Sequence, residues 1–321
     1  MECVGHQTKK ILIIKMGYSE TLDAETSKIV SLGDVIRCSI ILEPLRHKYK
    51  DCHITWLVSK EATPLVTHNE YIDKVLVWDE FTPYVLMREK YDIVINLEKI
   101  NGICALTDMI DAWEKVGFRF NSYTGEFDTY LQSSVAKEYI ANKESARSVW
   151  QKIIIEMIGD KWESQEYSLG YKPKAEPIYD VGFNYFVGKK WPTKAMPEEM
   201  WRELAGRLEA RGVKITWQEG LDNLYDYMEW LASSKVVVSN DSLGLHLALA
   251  LKRRVVAIFG PTSIDEVHLY DRGEYVLPAK NFTCPKMPCY LPVCENDKFC
   301  LDFIDLEELE LKILRQLGIN P

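Results

Sequence analysis

The sequence predicts an α/β fold of doubly wound parallel sheets. Three observations favour this class. Short apolar runs recur along the chain, amphipathic helical patterns separate them, and the alternation starts twice, near residues 10 and 179. The runs are nearly continuous in apolar residues, which is typical of parallel strands that helices cover on both faces. The second start predicts a second domain of comparable size.

Each half contributes four predicted strands. They lie at 10–15, 53–58, 74–78 and 91–97 in the first half, and at 179–184, 213–217, 235–239 and 254–259 in the second. Apolar residues recur at i, i+3, i+4 and i+7 counted from Trp150, Trp201 and Leu224, which predicts three helices. Pro197 can start the second of these helices and Gly212 can end it. Residues 159–175 are polar and rich in turn formers, which indicates a linker. We therefore expect domains at 1–172 and 173–321.

The composition is that of a globular, acidic protein. Of 321 residues, 47% are hydrophobic and 27% are charged, and 39 Lys and Arg stand against 48 Asp and Glu, for a net charge of -9. Such a chain lacks the basic face that nucleic-acid binding needs, so we expect no nucleic-acid partner. No apolar run is long enough to span a bilayer, and no signal-peptide pattern opens the chain, which favours a cytoplasmic location.

Several common catalytic motifs are missing from the sequence. It contains no Walker P-loop, no G-x-G-x-x-G after a strand, no H-E-x-x-H and no G-x-S-x-G. Their absence argues against P-loop kinases, dinucleotide-dependent dehydrogenases, zinc proteases of that motif and α/β-hydrolases. The chemistry has to be sought in other segments.

The strongest signal for a binding site is the segment 239–250, SNDSLGLHLALA, which follows an apolar strand and opens a helix. Free N–H groups at such a helix start bind phosphate well, and Gly244 would let a ligand or a neighbouring backbone approach closely. Asp241 or Ser242 is suited to cap the helix. The alternative, at roughly even odds, is an ordinary capped helix with His246 as a core residue.

Two further segments follow predicted strands. In such folds ligands bind beyond the carboxyl ends of the strands, and with two domains the cleft between them is the expected site. A lysine of the GKKWP run, 188–192, would pair there with a diphosphate; the alternative, favoured for this run by itself, is an exposed loop with two solvated lysines. Asp34, in the SLGDV run of 31–35, is either a helix N-cap or a general base.

Taken together, these segments resemble the family 9 glycosyltransferases, the bacterial heptosyltransferase-like enzymes of the GT-B fold. The first half contributes KILIIK, SLGDVIRCSIILEPLRHKYKDCHITWLV and DIVINLE. The second half contributes KKWPTKAMPEEMWRELAGRLEARG, SNDSLGLHLALALKRRVVAIFGPTS and CPKMPCYLPVCENDKFC. The D-S-x-G-x-H-L run followed by F-G-P-T is the most specific part. The resemblance implies two Rossmann-like domains that face a central cleft.

The resemblance also implies an activity. It implies inverting transfer of heptose or a related sugar from a nucleoside-diphosphate donor, ADP-linked by preference, to a glycolipid or glycan acceptor such as lipopolysaccharide core. The donor would bind the C-terminal domain and the acceptor the N-terminal one, with peripheral contact with the inner membrane through the acceptor. The alternatives are a nucleotide-sugar epimerase or hydrolase on the same fold, and a non-catalytic nucleotide-sugar-binding protein.

Site residues follow from matching positions. Asp34 matches the family's proposed base, and Gly33 and Lys15 are assigned to the acceptor. The residues that match the family's donor site are Lys190, Asp241, Ser242, Gly244 and His246. Glu219, which stands where the family has a glycine-rich turn, is assigned to the ribose hydroxyls. The loop 17–30 is about a dozen residues longer than the family's and is expected beside the acceptor.

Half of the eight cysteines crowd into one segment, at Cys284, Cys289, Cys294 and Cys300. Four or five residues separate neighbours, whereas zinc ligands usually pair across two to four. A structural metal at these four thiols is the alternative; we favour free or partly buried thiols and expect no essential cofactor.

Overall fold

The computed structural model describes residues 8–18, 29–142, 148–174, 176–188, 190–220 and 223–320. The chain divides into two compact units, Met1–Tyr171 and Lys172–Pro321. Each unit is built on one sheet of mainly parallel strands with helices between them, which confirms the predicted α/β class. No helix in the described part of the chain combines the length and apolarity that crossing a membrane requires.

The first unit contains a six-stranded sheet of order β3-β2-β1-β4-β5-β6. Its strands are β1 (Lys9–Ile14), β2 (Cys52–Val58), β3 (Lys74–Val77), β4 (Lys90–Asn96), β5 (Asp111–Asn121) and β6 (Glu126–Thr129). All neighbours pair in parallel except β5 and β6, which form an antiparallel edge. The strand order reverses between β1 and β4, and ligands of doubly wound sheets bind beyond the carboxyl ends at this switch point.

Seven α-helices belong to the described part of the first unit. They are α1 (Leu32–Cys38), α2 (Leu42–Lys48), α3 (Thr63–Val66), α4 (Thr82–Leu86), α5 (Asn101–Met109), α6 (Ser134–Ala141) and α7 (Trp150–Met157). Apolar residues of β1 are completely buried, as expected for a central strand that is covered on both faces.

The second unit contains a five-stranded, fully parallel sheet of order β11-β10-β9-β7-β8. Its strands are β7 (Tyr179–Asn184), β8 (Ile215–Trp217), β9 (Ser234–Asn240), β10 (Arg254–Ile258) and β11 (Gly273–Val276). Its helices are α8 (Glu198–Glu209), α9 (Leu224–Ala232), α10 (Leu243–Ala250) and α11 (Leu306–Leu317). Here the order reverses between β7 and β9, which defines a second switch point.

Two helices of the second unit illustrate how the sequence directs packing. Helix α8 buries one stripe, in which Trp201 and Leu204 are inaccessible, and the Trp201 ring lies 5.2 Å from that of Phe183 on β7. Helix α10 is apolar on every side and buried along its whole length. It contacts β9, β10 and α9, so its amino end is fixed at the sheet's carboxyl edge.

The segment predicted to be a linker contains no helix or strand over residues 159–174, but its later part is packed on the first unit. The Asn69 side chain donates to the Ser168 carbonyl at 3.1 Å, and the Ser168 amide donates to the Ser39 hydroxyl at 2.9 Å. A Cβ atom on Gly170 would lie 2.2 Å from the Thr67 carbonyl oxygen, so only glycine fits. This chain stretch is therefore held in place.

All the predicted strands are present, with ends displaced by at most two residues. The structure adds three strands that the sequence pattern did not reveal, namely β5, β6 and β11. Two of these are edge strands of their sheets, and β5 is the neighbour of such an edge.

Candidate active site

Polar side chains gather at the switch point of the second sheet, where β7 and β9 end. Asn184 is the last residue of β7 and Asn240 the last of β9, and both are buried. Asp241 and Ser242 come next and lead into α10. The segment that the sequence singled out therefore lies where doubly wound sheets bind their ligands.

The Asp241 carboxylate is held by two side chains from other elements. Lys194 Nζ lies 2.6 Å from Asp241 Oδ2, and the Thr262 hydroxyl donates to the same oxygen at 2.7 Å. Burial opposes ionisation of this carboxyl, but Lys194, His246 and Thr262 outweigh it and hold the pKa of Asp241 well below its ordinary value. Asp241 is therefore a charged group in a fixed position.

Lys194 reaches this carboxylate from a short 3-10 turn, Pro192–Lys194, that precedes α8. Its ammonium also lies 5.2 Å from the centre of the Trp191 ring. Sequence reasoning missed Lys194, although it stands in the same segment as the residue chosen, Lys190. Lys190 is 8% exposed, and its assignment to the donor stays a prediction. Lys189 lies outside the described residues.

The start of α10 departs from the expected capping. Ser242 occupies the N-cap position, but among the described residues no side chain caps the helix. Ser242 is therefore at the N-cap position, as one of the two predicted alternatives had it, but its side chain makes no capping hydrogen bond to the described residues. Asp241 is engaged by Lys194 and Thr262, and the Ser242 hydroxyl accepts from Asn184 Nδ2 at 3.0 Å. Neither side chain covers the first amides of the helix, which suits an anion site.

Gly244 is required by two neighbouring side chains. A Cβ atom there would lie 2.3 Å from Asn184 Nδ2 and 2.4 Å from the Tyr227 hydroxyl oxygen. Tyr227 in turn donates to Asn184 Oδ1 at 2.6 Å. From the sequence we expected a ligand or a backbone segment to approach Gly244 closely. The groups that do so are the side chains of Asn184 and Tyr227, and the glycine lets α10 pack closely against β7 and α9.

The two other predicted donor residues lie in different surroundings. His246, in the first turns of α10, is 4% exposed and interacts electrostatically with Asp241. Glu219 is exposed and follows β8, the strand next to β7. The ribose role of Glu219 stays a prediction.

A cavity of about 480 Å³ opens near this site. Tyr185, Phe186 and Met196 line it together with the carboxylates of Glu198, Asp297 and Asp302. Three carboxylates would repel a diphosphate. The phosphate-binding position is better sought at Lys194 and the start of α10.

The first unit has a polar cluster at its own switch point. Lys15 follows β1 and Glu98 lies two residues beyond β4, where Glu98 is completely buried. Glu98 Oε1 accepts from the amides of Met16 and Gly17 at 2.6 Å each, and Lys15 Nζ lies 3.4 Å from Oε2. Burial raises the pKa of Glu98, and Lys15 and the two amides offset only part of this effect.

Lys15 is itself mostly buried, and it also donates to the Leu97 carbonyl at 3.2 Å. Its assignment to the acceptor stays a prediction, as does that of Gly33, which is partly exposed in the first turn of α1. Most of the loop 17–30 lies outside the described residues.

Asp34 is a first-turn residue of α1. The N-cap is Ser31, whose carbonyl accepts from the Asp34 amide at 3.1 Å. The expectation that Asp34 caps the helix is wrong because α1 begins at Leu32, two residues earlier. The Asp34 carboxylate is 41% exposed and lies 3.6 Å from Arg37 Nη1. An accessible carboxylate of this kind can meet an acceptor hydroxyl.

The clustered cysteines Cys284, Cys289, Cys294 and Cys300 are all free thiols. Burial raises the pKa of Cys300 to about 11, and the neighbouring thiols Cys289 and Cys294 act in the same direction. Over the described residues, no group of three His, Cys, Asp or Glu side chains is arranged to hold a metal ion. The preference for free thiols stays a prediction.

Comparison with known proteins bears on the family. The profile of "Glycosyltransferase family 9 (heptosyltransferase)" matches residues 220–293, a stretch that includes Asp241 and His246. Lipopolysaccharide heptosyltransferase 1 of Escherichia coli is 23% identical over 296 residues, which span 78% of this chain and 92% of that protein. The chain is thus similar to family 9 heptosyltransferases, by the family profile over residues 220–293 and by this relative along most of its length.

A second relative is more similar to this chain over a shorter stretch. Lipopolysaccharide heptosyltransferase 1 of Pseudomonas aeruginosa is 32% identical over 140 residues. These span 36% of this chain and 39% of that protein, so the match covers less than half of the relative.

Solved structures show the fold of the chain. The family 9 glycosyl transferase of Veillonella parvula is 17% identical, with a TM-score of 0.67 over 97% of both chains. An E. coli heptosyltransferase solved with ADP is 16% identical, with a TM-score of 0.65 over 96% of this chain and 99% of that one. Both likenesses cover nearly the whole chain, and the fold is GT-B.

Proposed function

We propose that this protein is an inverting glycosyltransferase, which moves heptose or a related sugar from an ADP-linked donor to a glycolipid such as lipopolysaccharide core. The observation that carries the proposal is the Lys194–Asp241–Thr262 arrangement at the start of α10, in a chain of this family. The relatives are lipopolysaccharide heptosyltransferases, and one structural neighbour was solved with ADP. These likenesses support the donor and acceptor classes.

The second unit would bind the donor and stabilise the leaving group. As the bond from sugar to phosphate breaks, negative charge develops on the departing diphosphate, and preorganised positive groups lower the barrier. Lys194 supplies a cation and the first amides of α10 supply hydrogen-bond donors. Lys190 is the second candidate cation. Asp241 would hold Lys194 at this position before the donor arrives.

The first unit would bind the acceptor and remove its proton. Inversion requires one displacement at the anomeric carbon, in which the acceptor hydroxyl attacks from the face opposite the diphosphate. That hydroxyl loses its proton as the new bond forms, and a nearby carboxylate is the simplest base. We assign this role to Asp34, because its carboxylate is accessible at the switch-point end of α1.

Location at the cytoplasmic face of the inner membrane forms part of the proposal. A lipopolysaccharide-core acceptor is anchored in a membrane by its lipid. Peripheral contact would therefore follow from the acceptor that the protein binds.

Assays with and without acceptor test the proposal against its alternatives. The protein is incubated with ADP-heptose, alone and with a heptose-free lipopolysaccharide core, and both ADP and the mass of the core are measured. We expect ADP release only with the core, together with a mass increase of one heptose. ADP release without acceptor would indicate a hydrolase. Isomerisation of the sugar would indicate an epimerase, and donor binding without turnover would indicate a non-catalytic protein. Thermal-shift measurements with ADP, UDP and GDP identify the nucleotide base of the donor. A ligand at 100 times its Kd raises the free energy of unfolding by ~2.7 kcal/mol.

A further inference from the structure

Glu98 is a buried carboxylate for which the proposed reaction has no direct use. Its side chain is completely inaccessible, so it cannot touch an acceptor. Burying a charged carboxylate is costly unless other groups compensate, and here Lys15 and two backbone amides do so. Among the described residues no hydrogen bond reaches Glu98 Oε2, so the compensation is incomplete. An apolar residue would avoid this cost.

The hydrogen bonds of Glu98 lead to Asp34 through the backbone. The Gly17 amide donates to Glu98 Oε1, and the Gly17 carbonyl accepts from the Ser31 amide, both at 2.6 Å. The Ser31 carbonyl then accepts from the Asp34 amide at 3.1 Å. Ser31 is the N-cap of α1, so this series of bonds ties the start of the helix to the end of β4.

Gly17 is suited to the central place in this series. Its φ is +92°, a region that favours glycine. A Cβ atom there would lie 2.8 Å from Val30 Cγ1 and 2.9 Å from Val35 Cγ2. The backbone at residue 17 is therefore pressed against α1 and the residue before its N-cap, and a small shift at Glu98 would move both.

The charges of this cluster also act on one another. Glu98 and Asp34 are close enough for their negative charges to oppose each other, and Lys15 lies beside Glu98. Arg37 on α1 faces Asp34, and burial keeps the Cys38 thiol neutral by raising its pKa to about 12.

We propose that Glu98 is a positioning residue, which holds Asp34 in place through Gly17 and Ser31. This inference rests on the proposed function, in which Asp34 accepts the proton of the acceptor. Glu98 would affect the reaction only through its effect on Asp34.

Two substitutions test whether Glu98 holds this backbone in place. Glu98→Gln keeps the length of the side chain and one acceptor oxygen, whereas Glu98→Asp loses reach toward the Gly17 amide. For Glu98→Asp we expect kcat to fall on the order of 10-fold, with amides of residues 29–38 exchanging hydrogen faster. For Glu98→Gln, which can still accept from the Gly17 amide, we expect a smaller fall in kcat and slower exchange than in Glu98→Asp. Affinity for ADP should stay within about twofold in both, because the donor binds the other unit.

Glu43→Gln is the matched control, since Glu43 is an exposed carboxylate in the first turn of α2 on the same unit. It should leave kcat and its pH profile unchanged. Glu98→Gln leaves the buried Lys15 without its anion, so the double variant Glu98→Gln with Lys15→Met is made in case the single variant does not fold. Parent-like kcat together with parent-like exchange in a folded Glu98→Asp variant would overturn the inference.

The parent protein is assayed first, so the two proposals can fail separately. If it transfers no sugar, the proposed function is wrong. In that case hydrogen exchange of residues 29–38 in Glu98→Asp still decides whether Glu98 holds the start of α1. If the parent transfers sugar and the Glu98 variants match it, only the positioning role is wrong.

Discussion

The Lys194 ammonium lies 2.6 Å from the Asp241 carboxylate, although the two residues are 47 positions apart in the chain. Both side chains are largely buried, 16% and 12% exposed. The pair therefore places a positive charge beside the start of α10 before any ligand binds. A donor diphosphate would meet this cation without waiting for it to be ordered.

Substitution of Lys194 by Met should reduce both ADP binding and stability. Loss of a largely desolvated cation should weaken ADP binding by on the order of 1–3 kcal/mol. It also leaves Asp241 as an unpaired, mostly buried charge, which should lower the free energy of unfolding by about 3 kcal/mol. Calorimetric titration with ADP and urea unfolding measure the two effects. Parent-like ADP affinity would remove Lys194 from the proposed donor site.

Substitution of Lys190 by Ala tests the residue chosen from the sequence. If Lys190 binds the diphosphate, ADP affinity should fall by on the order of 1–3 kcal/mol. Binding by the parent, Lys190→Ala and Lys194→Met proteins is compared in one buffer. Affinity that falls only in the Lys194 variant would leave Lys190 as a structural lysine of the turn.

The stability of the second unit should depend on pH through Asp241. The pKa of Asp241 is lower in the folded chain than in the unfolded one, so its contribution to stability is present above the unfolded pKa, near 4. That contribution is lost as the pH falls from about 5 toward the folded pKa. Urea unfolding of the parent and of Asp241→Asn is measured at pH 7, 5, 4 and 3. The difference between their free energies of unfolding should become smaller as the pH falls. A difference that grows would contradict the direction of the Asp241 pKa shift.

Asp180→Asn serves as the comparison for that experiment. Asp180 pairs with Lys235 at 2.8 Å, but Lys235 is 60% exposed, so solvent screens the pair. Over the same pH range, the difference in free energy of unfolding between Asp180→Asn and the parent should change by less than it does for Asp241→Asn.

The glycine in α10 should be intolerant of a side chain. In Gly244→Ala the new methyl group would collide with Asn184 and Tyr227, which are hydrogen-bonded to each other. Overpacking of this kind costs about 1–3 kcal/mol, visible as a lower urea midpoint. A Cβ atom added at Gly206, inside α8, would meet no atom of another element within 4 Å, so Gly206→Ala should stabilise by up to ~1 kcal/mol. Equal effects in the two variants would argue against the clash.

The fold could be predicted from the sequence wherever burial imposes a pattern. β1, β2, β7 and β9 are largely buried, and their apolar runs are unmistakable. β5 is different because it pairs with an edge hairpin: Trp113 is 93% exposed on it, and charged residues interrupt its alternation. The available signal was a period of two over residues 115–120, where Val116, Phe118 and Phe120 alternate with other residues.

The candidate site could be predicted only where its residues are close in sequence. The segment containing Asp241 combines a strand end, small polar residues and a helix start, and these are local features. Lys194, Thr262 and Tyr227 belong to the site because tertiary packing brings them to Asp241 and Asn184. No spacing rule joins residues from three different loops and helices. The capping error at Asp34 has the same origin, since helix starts shift by one or two residues with tertiary context.

The clustered cysteines should be dispensable for turnover and free of metal. Of these four, Cys300 should react most slowly with iodoacetamide at pH 8, because burial raises its pKa to about 11 and little thiolate forms. Mass spectrometry of the alkylated protein gives the order of reaction. Elemental analysis of the same preparation tests for metal, and zinc or iron at one equivalent per chain would refute the preference for free thiols.

Asp34→Asn should abolish most turnover while leaving the protein folded and able to bind ADP. The carboxylate is 41% exposed and its ion pair with Arg37 spans 3.6 Å, so the pair contributes little to stability. Loss of a negative charge in the first turn of α1 costs at most about 1 kcal/mol through the helix dipole. The melting temperature should therefore change by only a few degrees.

Turnover is a separate matter, because Asn has nearly the shape of Asp but cannot accept a proton. We expect kcat for sugar transfer to fall on the order of 100-fold or more. ADP affinity, measured by titration, should match that of the parent, since the donor is assigned to the other unit. Near-normal turnover would make Asp34 an ordinary first-turn residue and direct attention to Asp23 or Glu25, which lie outside the described residues. Arg37→Gln is the control for the ion pair: it should leave most of the turnover, because the base itself remains.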